Sequence, residues 1–304
     1  MIQSKKYVFR ILSFVGIILF GIGSINFFID PYNYNVCFDF GMPKREVSYH
    51  ANQRMYKIQE FLNKPCDNIL LGDSRMNELD ISKVEKITGE RWFNFAYGGG
   101  SAYEVIDTFW YAAGIVKLQK VYIGMNFDLY NASKNHNLVR ESEYVSTHPL
   151  AYYFSGSILK VSLYNLSYKY LGLNLVDDKP LVSKEIFWQE QLKDADRTYT
   201  NYRYPHDLYS EFTRIRDYLQ LNGGELVFVI PPIHDDLQKK ASEYRLDNEI
   251  DEYKRELHTL GIVYEFDTDE EFNRNKELYK DPFHADDALK SLVIQRVWGH
   301  HLEK

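Results

Sequence analysis

Hydrophobic and polar positions follow two patterns along the chain. Residues 11–29 form an uncharged, apolar stretch of nineteen residues. Beyond it, short apolar runs rich in Val, Ile, Tyr and Phe alternate with stretches of helical periodicity, which is typical of parallel strands covered on both faces. The pattern predicts five strands at residues 68–71, 92–97, 120–127, 225–232 and 261–268. It predicts helices between them at residues 81–88, 103–118, 207–222 and 235–259.

This βα alternation predicts an α/β fold, a three-layer α/β/α sandwich around a five-stranded parallel sheet. Residues 1–30 are assigned to an N-terminal tail and anchor, 31–65 to a juxtamembrane segment, and 66–304 to a catalytic domain. An insertion at about 128–206 interrupts the alternation of strands and helices in that domain. Its role is either additional packing or a lid or partner surface.

The apolar stretch predicts one N-terminal transmembrane helix. At about 1.5 Å per residue, nineteen residues span about 28 Å, close to the hydrocarbon thickness of a bilayer. Lys5, Lys6 and Arg10 precede it and Asp30 follows it. The positive-inside rule therefore predicts a single-pass protein of a bacterial cell membrane, with a cytoplasmic N-terminus and an extracytoplasmic catalytic domain. A cleaved signal peptide is the alternative.

Composition narrows the function classes further. The chain is 45% hydrophobic and 26% charged, which is typical of a globular protein. Its formal net charge of −7 argues against nucleic acid as a partner, because phosphate binding needs a basic surface. Cys37 and Cys66 are the two cysteines, and they either pair or stay as buried thiols. No metal site and no cofactor is expected.

Residues with the chemistry of acyl transfer follow the predicted strands. The first strand leads into Gly72-Asp73-Ser74, the second into a glycine triplet, and the third into Asn126, while "DPFH" near the C-terminus supplies Asp281 and His284. Ligands of parallel α/β sheets bind at the carboxyl ends of the strands. A serine nucleophile needs a histidine base, a carboxylate that orients the base, and donors for the oxyanion. The order of these residues therefore indicates a serine hydrolase or acyltransferase site.

The four segments resemble the blocks of the SGNH, or GDSL-type, hydrolase superfamily. "LGDSR" is similar to its first block, "NFAYGGGSAYE" to its second, "GMNF" to its third and "DPFH" to its last. The resemblance covers residues 66–298 and implies a flavodoxin-like sheet of order 2-1-3-4-5. It implies Ser74, His284 and Asp281 as the catalytic triad. It also implies an oxyanion hole that is formed by Ser74, Gly99 and Asn126, with Gly98 and Gly100 as alternative glycines.

Two departures point to a subgroup. Arg75 stands where "GDSL" has leucine, and Phe127 stands where an aspartate usually follows the asparagine. Together with "FFIDPYNYN" they resemble membrane-anchored proteins of alginate O-acetylation and of D-alanyl-lipoteichoic acid transfer. This resemblance implies an O-acyltransferase with an unspecified acyl donor and a glycan or teichoic-acid-like acceptor. It implies a membrane-bound O-acyltransferase (MBOAT) type exporter as partner. A membrane-anchored esterase or deacetylase and a non-catalytic scaffold are the alternatives.

Several residues compete for roles in this site. Arg75, Gly98, Gly100 and His234 are candidates for substrate binding, and His234 follows the fourth predicted strand. A metal site from His234 and the two aspartates after it is disfavoured, because adjacent side chains do not converge easily on one ion. Asp286 and Asp287 compete with Asp281 for the triad carboxylate. Their place at the start of a helix suggests instead that they stabilise its dipole.

Overall fold

The computed structural model describes residues 2–35, 40–176 and 182–299. The chain divides into two compact units. The first contains Met1–Lys64 and Leu138–Pro180, and the second contains Pro65–Asn137 and Leu181–Lys304. Cys37 lies outside the described residues, and Cys66 is a buried free thiol.

The strands are β1 (Asn68–Leu71), β2 (Phe93–Asn94), β3 (Lys120–Gly124), β4 (Glu225–Ile230), β5 (Ile262–Glu265), β6 (Tyr279–Asp281) and β7 (His284–Ala285). The helices are α1 (Ile2–Ile29), α2 (Ser48–Ala51), α3 (Gln53–Asn63), α4 (Ser74–Asn77), α5 (Ile81–Thr88), α6 (Ala102–Ala113), α7 (Val139–Thr147), α8 (Pro149–Tyr153), α9 (Gly156–Leu171), α10 (Lys184–Thr200), α11 (Leu208–Asn222), α12 (Asp235–Glu243), α13 (Asp247–Leu260), α14 (Glu270–Asn273) and α15 (Asp287–Trp298).

The second unit is built on a parallel sheet of order β2-β1-β3-β4-β5, which confirms the predicted α/β fold and strand order. Ile69 of β1 pairs with Phe93 on one side and with Val121 on the other. Alternate residues of a strand point to opposite faces. Val227 belongs to a buried cluster with residues of α5 and α15, while the ring of its neighbour Phe228 meets Phe212 of α11 edge to face. Helices therefore cover both faces of the sheet.

The predicted helix at 235–259 is two helices, α12 and α13. Arg245, between them, has φ of +58°, a left-handed conformation that ends an α-helix. The amphipathic pattern continues on both sides of this residue, so the sequence gives no sign of the break. Several helices, α3 and α10 among them, were not predicted, and neither was the antiparallel pair of β6 and β7.

The first unit combines the N-terminal segment with α7, α8 and α9. Its buried cluster contains Tyr32, Met55, Tyr152, Ile158 and Val161. Leu138–Pro180 belongs with the N-terminal segment through these apolar contacts, whereas the rest of the expected insertion belongs to the sheet unit.

Helix α1 contains the stretch Lys5–Ile29, within which a window of 18 residues has a mean hydropathy of 2.2. Within the described part of the chain, it is the one helix that is long and apolar enough to cross a membrane.

Candidate active site

The structure brings together Ser74, His284 and Asp281. The Oγ atom of Ser74 lies 2.7 Å from Nε2 of His284. Nδ1 of the same ring lies 2.9 and 2.8 Å from the two carboxylate oxygens of Asp281. These are the contacts that the sequence analysis expected between the three side chains. They form a continuous hydrogen-bonded path from a hydroxyl to a buried carboxylate.

The backbone around Gly72 delivers Ser74 to the end of β1. Gly72 has φ of +143°, and a Cβ atom there would lie 2.8 Å from Cγ of Met76 and 3.0 Å from the carbonyl oxygen of Gly124. A larger residue would therefore be strained and would clash. Asp73 caps the following turn, because its carboxylate accepts a hydrogen bond from the N–H of Arg75 at 3.0 Å. Ser74 is the first residue of α4.

Asp281 and His284 face each other across the short β6–β7 pair. The carboxylate of Asp281 also accepts hydrogen bonds from the backbone N–H groups of Phe283 at 2.8 Å and His284 at 3.1 Å. Asp281 is 3% exposed, so it depends on these donors for the hydrogen bonds that water would otherwise supply. The hairpin therefore fixes the carboxylate relative to the imidazole.

His234 supports this hairpin through its backbone. Its N–H donates to the carbonyl oxygen of Pro282 at 3.0 Å, and its Nδ1 accepts from the N–H of Asp236 at 3.1 Å. Burial lowers the pKa of His234 despite the opposing charges of Asp236 and Asp235. The side chain thus caps α12 as a neutral ring and packs edge to face on Trp188.

Asn126 is oriented by hydrogen bonds at both ends of its amide. Its Nδ2 donates to Oδ2 of Asp73 at 2.8 Å, and its Oδ1 accepts from the N–H of Leu129 at 2.9 Å. Burial alone would raise the pKa of Asp73. The charges of Arg75 and Lys134, together with hydrogen bonds that include the one from Asn126, lower it below its ordinary value. An ionised Asp73 thus holds the amide beside the turn that carries Ser74.

The glycine triplet lies against the same turn. The N–H of Tyr97 donates to the carbonyl oxygen of Gly72 at 3.0 Å, and a Cβ atom on Gly100 would lie 3.3 Å from that oxygen. Gly98 is half-buried, whereas Gly99 is exposed and has φ of +62°. The carbonyl oxygen of Gly99 accepts a hydrogen bond from Nε2 of His136 at 2.8 Å. The triplet therefore packs closely on the backbone next to Ser74.

Arg75 is buried with a carboxylate partner that the sequence analysis did not identify. Its Nη2 donates to Oδ2 of Asp128 at 2.7 Å, and the two side chains are 6% and 8% exposed. Burial disfavours the charge, but Asp73 and Asp128 outweigh it and raise the pKa of Arg75. Nε of Arg75 lies 3.9 Å from Oδ2 of Asp73, and neither Nε nor Nη1 of Arg75 nor Oδ1 of Asp128 makes a hydrogen bond of ordinary length to the protein. Such buried polar atoms are usually satisfied by water or ligand.

Arg75, Asn126 and Asp128 line a cavity of about 820 Å³ at the carboxyl ends of β3 and β4. Aromatic side chains also line it, namely Phe127, Tyr199 and Tyr253. The combination of flat apolar faces and hydrogen-bonding groups can accept an organic ligand next to Arg75, although Ser74 and His284 do not line this cavity. Asp128 and His136 could not be assigned from the sequence, because their roles depend on partners 53 and 37 residues away.

No group of three or more His, Cys, Asp and Glu side chains that could hold a metal ion occurs among the described residues.

No protein-family model and no curated protein matches the chain. Solved structures resemble the chain. A candidate platelet activating factor from Streptococcus pneumoniae has 10% identity and a TM-score of 0.42, over 85% of this chain and 95% of that one. A candidate acylhydrolase from Bacteroides fragilis has 12% identity and a TM-score of 0.43 over 83% and 98% of the two chains. A GDSL-like lipase from Bacteroides thetaiotaomicron has 10% identity and a TM-score of 0.41 over 84% and 98%. With TM-scores below 0.5, these similarities do not bear on the activity of this chain.

Proposed function

We propose that the chain is a membrane-anchored serine O-acyltransferase that moves an acyl group, in the simplest case acetyl, onto a cell-envelope or secreted glycan. The observation that carries this proposal is the path from Ser74 Oγ through His284 to Asp281, with 2.7 Å between the hydroxyl and the imidazole. The resemblance of the four sequence segments to the SGNH superfamily supports the same chemistry.

In the first half of the reaction, Ser74 attacks the carbonyl carbon of the acyl donor, and Nε2 of His284 takes the hydroxyl proton. Asp281 stabilises the imidazolium that forms. The oxyanion is assigned to the N–H groups of Ser74 and Gly99 and to the side-chain amide of Asn126. Nδ2 of Asn126 carries two hydrogens and Asp73 accepts one, so the second is available to the oxyanion. His284 then gives its proton to the leaving group, and an acyl-serine ester remains.

In the second half, a hydroxyl of the acceptor loses its proton to His284 and attacks the acyl-serine carbonyl. The serine oxygen leaves and recovers the proton from His284, so the products are an ester of the acceptor and the free enzyme. The cavity beside Arg75 and Asp128 is the candidate position for the acceptor. Its aromatic rings suit the apolar faces of sugar rings, and the polar and charged side chains that line it suit hydroxyl groups, which both donate and accept.

The proposed location is a bacterial cell membrane, with α1 as a single span, the N-terminus in the cytoplasm and Ser74 outside. Acyl groups are made in the cytoplasm, so the proposal includes an MBOAT-type exporter as the source of the donor. A reporter fused after Lys304 should be active only if it functions outside the cytoplasm. Activity of a cytoplasmic reporter would overturn both the orientation and the envelope substrate.

Mass spectrometry of the intact protein tests the chemistry. Incubation with an activated acetyl ester should produce an acetylated protein with the label on Ser74, and the Ser74→Ala variant should stay unlabelled. Ser210→Ala is a matched control, because the hydroxyl of Ser210 on α11 donates a hydrogen bond to the carbonyl oxygen of Asp207. If wild type and Ser74→Ala are labelled equally, the label is not attached through Ser74, and the proposed nucleophile is wrong.

The second candidate function is an esterase that uses the same residues with water. The His284 side chain is 20% exposed, so water can reach the base. Partition of the acyl-enzyme separates the two functions. In a transferase, added glycan should be acylated while acetate release falls, because the acceptor displaces water. Fast acetate release that none of the glycan acceptors lowers would identify the esterase.

A further inference from the structure

Helix α1 is enclosed by protein only along its carboxyl-terminal part. Its residues from Lys5 to Phe20 are exposed, whereas residues 21–30 are half-buried or buried apart from Phe28. The uncharged exposed part, residues 11–20, is about 15 Å long, which is half the ~30 Å hydrocarbon core of a bilayer. If the long side chain of Arg10 extends its charge to the interface, the exposed apolar part can be counted from residue 7. Residues 7–20 are still only about 21 Å long. If α1 crosses the membrane, its residues 21–29, which other parts of the protein enclose, must therefore also lie within the bilayer.

The elements that enclose this part of α1 are α8 and α9. Asn26 is fully buried, and its Nδ2 donates to the carbonyl oxygens of Tyr153 at 2.8 Å and Ser155 at 3.1 Å. Its Oδ1 accepts from Oγ of Ser162 at 3.0 Å. A polar side chain inside a membrane needs partners of this kind. The corner between α8 and α9 therefore satisfies Asn26 at the depth where it would otherwise face lipid.

Gly23 fixes the depth of this contact. A Cβ atom on Gly23 would lie 3.0 Å from the ring of Phe154, so the ring packs directly on the helix backbone. Gly23 precedes the last residue of α1 by six positions, or about 9 Å along the helix axis. Phe154 thus lies about 9 Å below the end of the apolar span, at the deep end of the ~5–10 Å that an interfacial helix reaches.

The composition of α8 and α9 suits this depth. Residues 149–176 contain no Asp or Glu, and their charged residues are Lys160 and Lys169. Large side chains on this segment are 43–73% exposed, namely Leu150, Phe154, Leu163, Tyr170, Leu171, Leu173 and Leu175. Exposed apolar residues with tyrosines and cationic charge are typical of segments that lie in the membrane interface beside anionic lipids.

We infer that α8 and α9 lie in the bilayer leaflet at the carboxyl end of α1, with lipid covering their exposed apolar side chains. This inference rests on the proposed membrane span of α1. The anchor is then a membrane-inserted cluster of three helices, and the exposed face of α8 and α9 is a lipid-binding surface. The polar contacts of Asn26 hold the two short helices on the span.

Spin-label accessibility in nanodiscs of phosphatidylcholine and phosphatidylglycerol tests this inference on the full chain. In a background of Cys37→Ser and Cys66→Ala, single cysteines replace Leu150 and Leu163, which are exposed on α8 and α9. Ile17→Cys reports the middle of α1, and Leu221→Cys is a matched aqueous control because Leu221 is 88% exposed on α11. Collision rates are measured with oxygen, which concentrates in lipid, and with a water-soluble nickel chelate.

Labels at Leu150 and Leu163 should be accessible to oxygen and protected from nickel, like the label at Ile17 and unlike the label at Leu221. Nickel accessibility at Leu150 and Leu163, with Ile17 protected, would overturn the inference and leave the span intact. It would favour a protein partner on this face. Nickel accessibility at Ile17 as well would overturn both the span and the inference. Neither result bears on the acylation of Ser74, which is measured separately.

Discussion

The carboxylate of Asp73 accepts a hydrogen bond from Nδ2 of Asn126 at 2.8 Å and so joins the end of β1 to the end of β3. The two residues stand 53 positions apart in the chain. Both are buried, and the N–H of Leu129 holds the other end of the amide at 2.9 Å. The residue before the proposed nucleophile therefore orients the amide that is proposed to meet the oxyanion.

Replacement of Asn126 by Ala should lower kcat by about 10²–10³, the usual effect of losing one oxyanion donor. Asp73→Ala should give a smaller loss, because Asp73 acts by orienting that donor. The double variant should be no slower than Asn126→Ala alone, since residues that act through one another are not additive. Steady-state kinetics on a small acetyl ester measures all three. Additive losses would show that Asp73 acts on the reaction independently of Asn126.

Asp281→Asn should lower kcat by about 10⁴, because an amide cannot hold the imidazole in the required tautomer or stabilise its charged form. Asp286→Asn is the matched control. The Asp286 carboxylate caps α15 by accepting from the N–H of Leu289 at 2.8 Å, and asparagine caps a helix equally well. Single-turnover acyl transfer from an activated ester provides the measurement. Comparable losses in the two variants would mean that Asp281 is not the carboxylate of the triad.

The buried pair of Arg75 and Asp128 predicts a large effect on stability. Asp128→Asn removes one of the two carboxylates beside Arg75, and breaking a buried ion pair from one side costs about 3–5 kcal/mol. The double variant Arg75→Met with Asp128→Leu should recover part of that loss, because the buried arginine charge is gone and Asp73 keeps Lys134 as its opposing charge. Urea unfolding followed by fluorescence measures both.

The control for this pair is Glu211→Gln on the exposed partner of Arg214. The side chains of that pair are 31% and 64% exposed, so its loss should change stability by less than about 1 kcal/mol. An effect of Asp128→Asn as small as this would show that water already screens Arg75.

Local signals explain which parts of the fold could be predicted. Helix α5 has the predicted bounds because residues that favour helix ends stand on both sides of it. Asp80 caps its start by accepting a hydrogen bond from the N–H of Ser82, and Gly89 ends it with φ of +69°. The pair of β6 and β7 has strands of three and two residues, too short for any periodicity. The membership of α8 and α9 in the N-terminal unit depends on contacts with Tyr32 and Met55, which are distant in the sequence.

The same distinction applies to the site. Ser74, Asn126 and the glycines were recognisable because they directly follow strands, where parallel sheets collect functional residues. Asp128 was not recognisable as the partner of Arg75, because the two residues come together only when β1 pairs with β3. His234 was expected at the same edge of the sheet, and it contacts the hairpin that carries His284 through its backbone N–H on Pro282 and through its ring on Tyr279.

Lys57 predicts an unusual dependence of stability on pH. This lysine of α3 is 5% exposed. Burial lowers its pKa to about 7, with a further contribution from Arg45 and an opposing one from Glu60. An unfolded lysine has a pKa of about 10.4. Between about pH 7 and 10.4 the unfolded chain therefore binds one more proton at this position, and the free energy of unfolding should rise by up to ~1.4 kcal/mol per pH unit.

Thermal unfolding of the full chain in detergent should consequently give a higher Tm at pH 9 than at pH 7. The Lys57→Met variant, which fills the same space without a titrating group, should be more stable than wild type at pH 7 and should lose most of this rise. Lys193→Met removes an exposed lysine and should leave the pH dependence unchanged. A Tm that rises equally in wild type and Lys57→Met would assign the effect to other groups. A Lys57→Met variant less stable than wild type at pH 7 would mean that the ammonium group is stabilised where it lies.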